Sequence, residues 1–299
     1  MEEKPSEVDV YGLKVFFINP SYSVSRSIVL ELRKKEYEVY VIENYRDTKN
    51  ILRRNQNSII FINIDAHISV GAWFNFVRSF EKDEALSKVH VAVISEKIKP
   101  TDAEIFRKNL EGPEFYFDFN EGIDNIKEQV LLLLDKLNAK GKRQYVRATL
   151  RNDNEAALFW DHGSRMHKLR LIDISSVGMA AIIPSVLNDQ IIAKNYLLHN
   201  VTMRLRSRQL TIEAVIFAVR QSPAGTVWVL LLMPNTPTLV KDEIRDYVSK
   251  VLEESLMASI NDDPKDDMDY SQLAYYNLAT RKKIKTSTSP FSTQPGYNN

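Results

Sequence analysis

Five short runs in the first half of the chain are largely apolar: "LKVFFINP" (13–20), "YEVYVIE" (37–43), "SIIFINID" (58–65), "VHVAVIS" (89–95) and "EFYFDF" (114–119). They are rich in β-branched and aromatic residues, and such runs read as strands covered on both faces of a parallel sheet. Parallel strands need long crossovers, and the intervening segments have helical spacing. Val24, Ile28 and Leu32 share one face of 23–36; Ile123, Ile126, Val130, Leu134 and Leu137 share one face of 122–138. Residues 13–138 therefore predict a doubly wound α/β unit, preceded by a flexible N-terminus at 1–12.

The texture changes after Lys142. "RATLRNDNEAALFW", "RMHKLRLIDIS", "GMAAIIP", "NYLLHNVTMRLRSRQLTIEAVIFAVRQ" and "GTVWVLLLMP" are strand-like runs. Polar loops containing Gly163, Asn188–Asp189 and Pro223–Gly225 separate them, with no helices between. This pattern predicts an all-β second unit, a small antiparallel barrel over 148–260. The barrel unit ends in one amphipathic helix, on which Val240, Ile244, Val248, Val251 and Leu252 line a face for the barrel mouth or a partner. Residues 139–147 then form the linker. Residues 261–299 read as a tail: "NDDPKDD" as a solvated stretch, "YSQLAYYNLATRKK" as a short helix and "TSTSPFSTQPGYNN" as disordered.

A length of 299 residues suits two such units, and 44% hydrophobic with 26% charged residues suffices for ordinary cores. The formal net charge of +1 gives no global field toward a nucleic-acid polymer or a membrane, so any anion site has to be local. Cysteine is absent, which fits a reducing compartment. The acidic start "MEEKPSEVDVYG" is unlike a signal peptide, and no apolar stretch is long enough to span a bilayer as a helix. A cytoplasmic protein is expected. No glycine-rich phosphate loop, nucleophile elbow or zincin signature is present. The five histidines contain no helical i,i+4 pair, and His162 and His167 sit with Asp161 in a polar hairpin that makes a poor metal site. The expectation is a protein without enzymatic activity, metal or cofactor.

Over 13–138 the architecture resembles a response-regulator receiver domain. A receiver carries an acidic pair after its first strand, where this chain has Asn19 and Pro20. The phospho-acceptor position at the end of the third strand aligns with Asn63, and Asp65 lies two residues on. Ser95 ends the fourth strand where receivers place Ser or Thr, and the lysine expected after the fifth strand is missing from "EFYFDFNEG". Without the acidic pair little is left to hold the magnesium that neutralises a transferring phosphoryl group. The resemblance implies a degenerate receiver used for homodimerisation or partner docking; the alternative is a response-regulator output protein phosphorylated on Asp65.

Two motifs follow. "KGKRQYVRATL" (140–150) places Arg143 and Arg147 in the order R-x-x-x-R, with Lys140, Lys142 and Arg151 beside them. "IDISSVGMA" supplies Asp173, Ser175 and Gly178 as D-x-S-x-x-G, one hairpin's length downstream. Alone, the first is linker charge and the second an ordinary turn. Together, ahead of a barrel pattern, they make residues 140–259 resemble a PilZ domain, the bacterial receptor module for cyclic di-GMP. The resemblance implies that Arg143 and Arg147 grip phosphate and guanine while Asp173, Ser175 and Gly178 form the second half-site. Lys142 is then expected to influence whether one ligand or a stacked pair binds. The chemistry suits the residue types: a guanidinium forks onto phosphate or the O6/N7 edge of guanine and stacks on purines. A carboxylate accepts the N1 and N2 protons of guanine. Arg204, Arg206 and Arg208 alternate on "TMRLRSRQL", which on one strand puts all three on a single face, either the wet side of the strand or a docking stripe.

The expected function is a bacterial cyclic di-GMP receptor that signals by domain rearrangement and contact with a downstream protein partner. The rival to it within the same fold is a non-binding PilZ-type adaptor, since a scaffold does not dictate its site.

Overall fold

The computed structural model describes residues 12–150, 153, 155–162, 164–187 and 194–273. Strands β1 (Lys14–Ile18), β2 (Val39–Ile42), β3 (Ser58–Asn63), β4 (His90–Ser95) and β5 (Tyr116–Asp118) form one sheet in the order β2-β1-β3-β4-β5, with every pairing parallel. Period-two alternation divides their side chains. Phe16, Ile18, Ile60 and Ile62 join one core, while Val15, Phe17, Ile59 and Phe61 join the other, so the sheet is buried on both sides.

Helix α1 (22–34, π-wound at Ser25–Val29) and helix α5 (Ile123–Lys136) cover the second face through Ile28, Leu32, Ile126 and Val130. Helices α2 (Thr48–Arg53), α3 (Val70–Ser79) and α4 (Pro100–Asn109) cover the first through Ile51, Leu52, Trp73, Phe76 and Phe106. Local sequence sets the helix starts. Ser69 accepts the amide of Ala72 as the cap of α3, and Pro100 opens α4 where its missing N–H costs nothing. This unit has the receiver-like architecture.

The second unit contains β6 (Arg147–Thr149), β7 (Ala156–His162), β8 (Arg165–Ser175), β9 (Gly178–Ile182), β10 (Leu197–Leu205), β11 (Arg208–Ser222) and β12 (Gly225–Leu232). Six of them, in the order β8-β7-β10-β11-β12-β9, close into an antiparallel barrel through the β8–β9 pairing, and β6 adds to β8 beyond the end of β7. Leu158, Leu169, Leu171, Met203, Ile216 and Trp228 fill it.

The arginine run "RLRSR" is not one strand. Leu205 pairs with Arg208 across a hairpin, and Arg206 occupies its turn at φ 57°. Arg204 stays on β10 with its guanidinium 5.4 Å from the Phe159 ring centroid. Arg206 and Arg208 instead grip helix α6 (Thr238–Ser259), the former through Glu254 and the latter through Glu243 and Asp246. The single-face expectation for the three fails because the turn reverses the chain between them.

Helix α6 belongs to both units. Ile244, Tyr247 and Val248 enter the barrel core, whereas Leu256 and the following Ile260 enter the core beneath α2 and α3. Arg33 on α1 reaches Glu253 at 2.6 Å. The chain then runs along the receiver-like unit. Tyr270 is 2% exposed against Phe76, Asn75 donates to the carbonyls of Tyr270 and Leu273 at 2.7 and 3.1 Å, and Lys49 meets Asp266 at 3.3 Å. Arg54–Asp263 and Arg46–Asp267 pairs, at 2.9 and 3.1 Å, complete the strap. The acidic stretch at 261–267, expected as a solvated linker, instead docks because three cations of the receiver-like unit face it. The flexible N-terminus, the disordered end of the tail and most of the helix expected from Tyr270 fall outside the described residues. No helix among the described residues is long and apolar enough to cross a membrane.

Candidate functional site

Pairing of β6 with β8 brings the two motifs together. Arg147 lies opposite Ser175, and Thr149 opposite Asp173. Ala148 points into the barrel core, which leaves Arg147 and Thr149 on the outer face. On β8 the inward set is His167, Leu169 and Leu171, a phase that would send Asp173 inward too. A register shift between Leu171 and Asp173 breaks that phase. Ile174 becomes the core residue and Asp173 turns out, the re-aiming a β-bulge produces. There the Asp173 carboxylate stands 3.8 Å from the Arg147 guanidinium, both accessible to solvent.

Ser175 and Gly178 serve the turn that supports this pair. Ser175 is fully buried, and its hydroxyl donates to the Gly178 carbonyl at 3.0 Å. A Cβ on Gly178 would lie 2.6 Å from the Leu230 carbonyl oxygen, so glycine is what lets β9 approach β12. The close backbone approach is therefore made by a neighbouring strand. Lys142 is exposed, three residues after the end of the sheet unit's last packed residue, Ala139.

Arg143 and Arg147 line a cleft of about 630 Å³ between the units, within the usual range for a small-molecule site of roughly 300–1,000 Å³. The receiver-like unit contributes Lys14, Glu38, Tyr40 and Arg54 to it, and α6 contributes Ser255 and Ser259. Four cations thus share the cleft with one carboxylate. Glu38 accepts the Tyr40 hydroxyl at 2.5 Å, and burial together with that carboxylate pushes the phenol well above its ordinary value, so it stays a neutral donor. Lys14 is 2.7 Å from the Asn55 side-chain oxygen, and Arg54 donates to Asp263 and to the Ser259 carbonyl. The recess is rich in cations, and three of them already meet carboxylates: Lys14 with Glu38 at 3.8 Å, Arg54 with Asp263 and Arg147 with Asp173.

One residue that sequence reasoning passed over touches both motifs. Glu36 follows α1 at φ 63°, donating its amide to Arg33, while Tyr37 donates to Leu32. This is the left-handed position after a helix that glycine usually takes, and a side chain there costs roughly 1–2 kcal/mol. Its carboxylate is buried, at 7% exposure. Oε2 accepts the Val146 amide at 3.1 Å, between the two arginines, and Oε1 accepts the Ser176 hydroxyl at 2.5 Å and Arg245 Nε at 2.8 Å. The available signal was a helix that ends on Lys-Lys-Glu with no glycine or asparagine.

In the receiver-like unit, Asp65 accepts the Ser95 hydroxyl at 2.6 Å and the Glu96 amide at 2.5 Å, and Asn63 donates to the Asn19 carbonyl at 2.9 Å. Asn63 and Asn19 thus close on each other where a receiver keeps its acidic metal ligands. Among the described residues no three His, Cys, Asp or Glu side chains gather as a metal site.

No protein-family model matches the sequence, and no curated protein matches it. Solved structures align with parts of the chain. The PilZ domain with c-di-GMP of YcgR from Escherichia coli aligns at 13% identity and TM-score 0.33, over 40% of this chain and 98% of that one. The Bacillus subtilis inhibitor of motility, MotI/DgrA, aligns at 18% identity and TM-score 0.32, over 38% of this chain and about half, 52%, of its own. The signal receiver domain of a putative Luxo repressor protein from Vibrio parahaemolyticus aligns at 14% identity and TM-score 0.35, over 43% of this chain and 94% of that one. By its own strand orders, the chain carries a five-stranded parallel sheet followed by an antiparallel barrel of six strands.

Proposed function

We propose that this protein is a cyclic di-GMP receptor that takes the dinucleotide into the cleft between its two units. The observation that carries the reading is the Arg147–Asp173 pair, 3.8 Å apart, whose arginine lines the cleft together with Arg143 while Asp173 stands outside its lining. Two guanidinium planes can stack on a guanine and fork onto a phosphate, which lysine cannot do. The Asp173 carboxylate, aimed outward by the bulge in β8, accepts the N1 and N2 protons of guanine. Lys14 and Arg54, on the opposite wall, supply charge to the second phosphate. Ser175 and Gly178 act from beneath, by holding the turn, and Lys142 beside the first arginine influences whether one ligand or a stacked pair binds.

On this reading the protein is cytoplasmic and works by binding, without catalysis. Occupancy changes the disposition of the receiver-like unit (13–138) against the barrel unit (148–260) across the 139–147 segment, and a protein partner or a second copy reads the change. Such a shift requires that the ligand bind the two arrangements unequally.

Isothermal calorimetry with cyclic di-GMP tests it. Micromolar or tighter binding by the wild type, abolished in Arg143→Ala and Arg147→Ala, is the expected result. A flat titration of the wild type overturns the reading and leaves the chain as a non-binding adaptor.

A further inference from the structure

We infer that Glu36 is a positioning residue that presets the dinucleotide site from the receiver-like unit; the inference rests on the cyclic di-GMP reading above. The two motifs lie on different segments, joined directly by the short β6–β8 pairing and by the half-exposed Arg147–Asp173 pair. Glu36 adds a buried constraint. One carboxylate oxygen accepts the Val146 amide, in the middle of the R-x-x-x-R segment, and the other accepts Ser176, inside the D-x-S-x-x-G turn. Arg245 on α6 donates to that second oxygen and neutralises the charge in the buried setting.

Three features set this apart from ordinary interface packing. The residue occupies a left-handed backbone position that an unengaged side chain would not favour, the kind of strain that persists only where its surroundings hold it. Both oxygens act as acceptors at once, which a carboxylate can do and an amide cannot. The cleft stands open while all three bonds are made, so the constraint is compatible with an occupied site. Holding the arginine segment before the ligand arrives removes an ordering cost from binding.

A second contact between the units provides the control. Glu253 on α6 accepts from Arg33 and from the Val41 amide, and touches neither motif. The experiment compares full-length wild type, Glu36→Gln, Ser176→Ala and Glu253→Gln by calorimetry with cyclic di-GMP and by amide hydrogen exchange across 143–147.

Glu36→Gln is expected to weaken binding about tenfold or more and to speed exchange of the Val146 amide. Ser176→Ala, which loses one donor only and keeps the buried carboxylate, is expected to weaken binding by roughly half that factor on a logarithmic scale; it carries the test if Glu36→Gln does not fold. Glu253→Gln is expected to leave both readouts at wild-type values. Glu36→Gln binding within twofold of wild type overturns the inference, and so does an equal loss in Glu253→Gln, since that marks generic docking of the units. A wild type that binds nothing removes the receptor reading instead. Exchange at Val146 then decides alone, and an unchanged rate in Glu36→Gln overturns the positioning role.

Discussion

Arg206 closes on Glu254 with two parallel N–H donors, Nη1 and Nη2, each 2.6 Å from a carboxylate oxygen, while its Nε donates to Asp153 at 3.1 Å. One side chain at a hairpin turn thus fastens α6 to the barrel at two carboxylates. Lysine keeps the charge and loses the fork. Both Arg206→Lys and Arg206→Ala are expected to lower stability, by about 1 kcal/mol because the pair is partly exposed and screened. Chemical denaturation in low and high salt checks this, with the deficit shrinking in high salt.

Acid should loosen the same contact. Burial by itself would raise the Asp153 carboxyl, but hydrogen bonds from the Tyr247 hydroxyl, the Glu155 amide and Arg206 outweigh it and hold the group below the usual carboxylate value. The Arg206 bond likewise holds Glu254 down. A depressed folded-state value means stability that is complete above the unfolded value near ~4 and is lost as pH falls through the lower folded one. Thermal melts from pH 7 to pH 3 are expected to fall less steeply in Asp153→Asn than in the wild type at the acid end.

Gly178→Ala separates structure from ligand contact. The added methyl meets the Leu230 carbonyl, a backbone atom that cannot move aside without opening the β9–β12 pairing. A loss of about 1–3 kcal/mol is expected from such overpacking, read as a lower urea midpoint in the absence of any nucleotide. An unaltered midpoint with impaired binding would instead make Gly178 a ligand contact.

The strap at 260–273 is expected to stabilise the receiver-like unit. Burial pulls the Lys49 ammonium below the usual lysine value in spite of Asp266, which marks how much it depends on that partner. Removing the carboxylate in Asp266→Asn leaves a nearly buried cation without its anion, at a cost of about 1–3 kcal/mol. Tyr270→Ala, which empties a packed aromatic site against Phe76, is expected to cost about 3 kcal/mol or more. Denaturation midpoints of the two variants, compared with a chain ending at Asn261, measure the strap.

Acetyl phosphate is expected to leave Asp65 unlabelled. Its carboxylate already accepts Ser95 and Glu96, and the neighbouring positions offer Asn19, Pro20 and Asn63 in place of metal-binding acids. Mass spectrometry after incubation with magnesium and acetyl phosphate checks it; an adduct lost in Asp65→Asn contradicts the degenerate reading.

The sheet was legible because burial on both faces leaves unbroken apolar runs, and runs such as "SIIFINID" have no other economical explanation. The barrel strands were legible for the same reason, in alternating form. Where the reading failed, the local code was silent. The hairpin at Arg206 turns without glycine, asparagine or proline, so "RLRSR" continues the alternation straight through the bend. The strap looked like solvated acid because its cations, Arg46, Lys49 and Arg54, lie more than two hundred residues away in the chain. Arg147 and Asp173 were legible as a motif, but the bulge that turns Asp173 outward is a property of pairing. Glu36 was hidden by both problems at once: it sits where glycine is usual, and its partners come from three distant segments.

The shared helix α6 limits how this molecule can change shape. At 22 residues it is a rod of roughly 33 Å, planted at one end in the barrel and at the other under α2 and α3. A swing about the 139–147 stretch alone would have to pull Leu256 and Ile260 from the core beneath α2 and α3, at roughly 1.5–3 kcal/mol for each buried aliphatic chain. Micromolar binding corresponds to about 8 kcal/mol in all, so that separation would consume a large share of it. Small rocking of the rod, with both ends still seated, is the motion such a molecule can make cheaply.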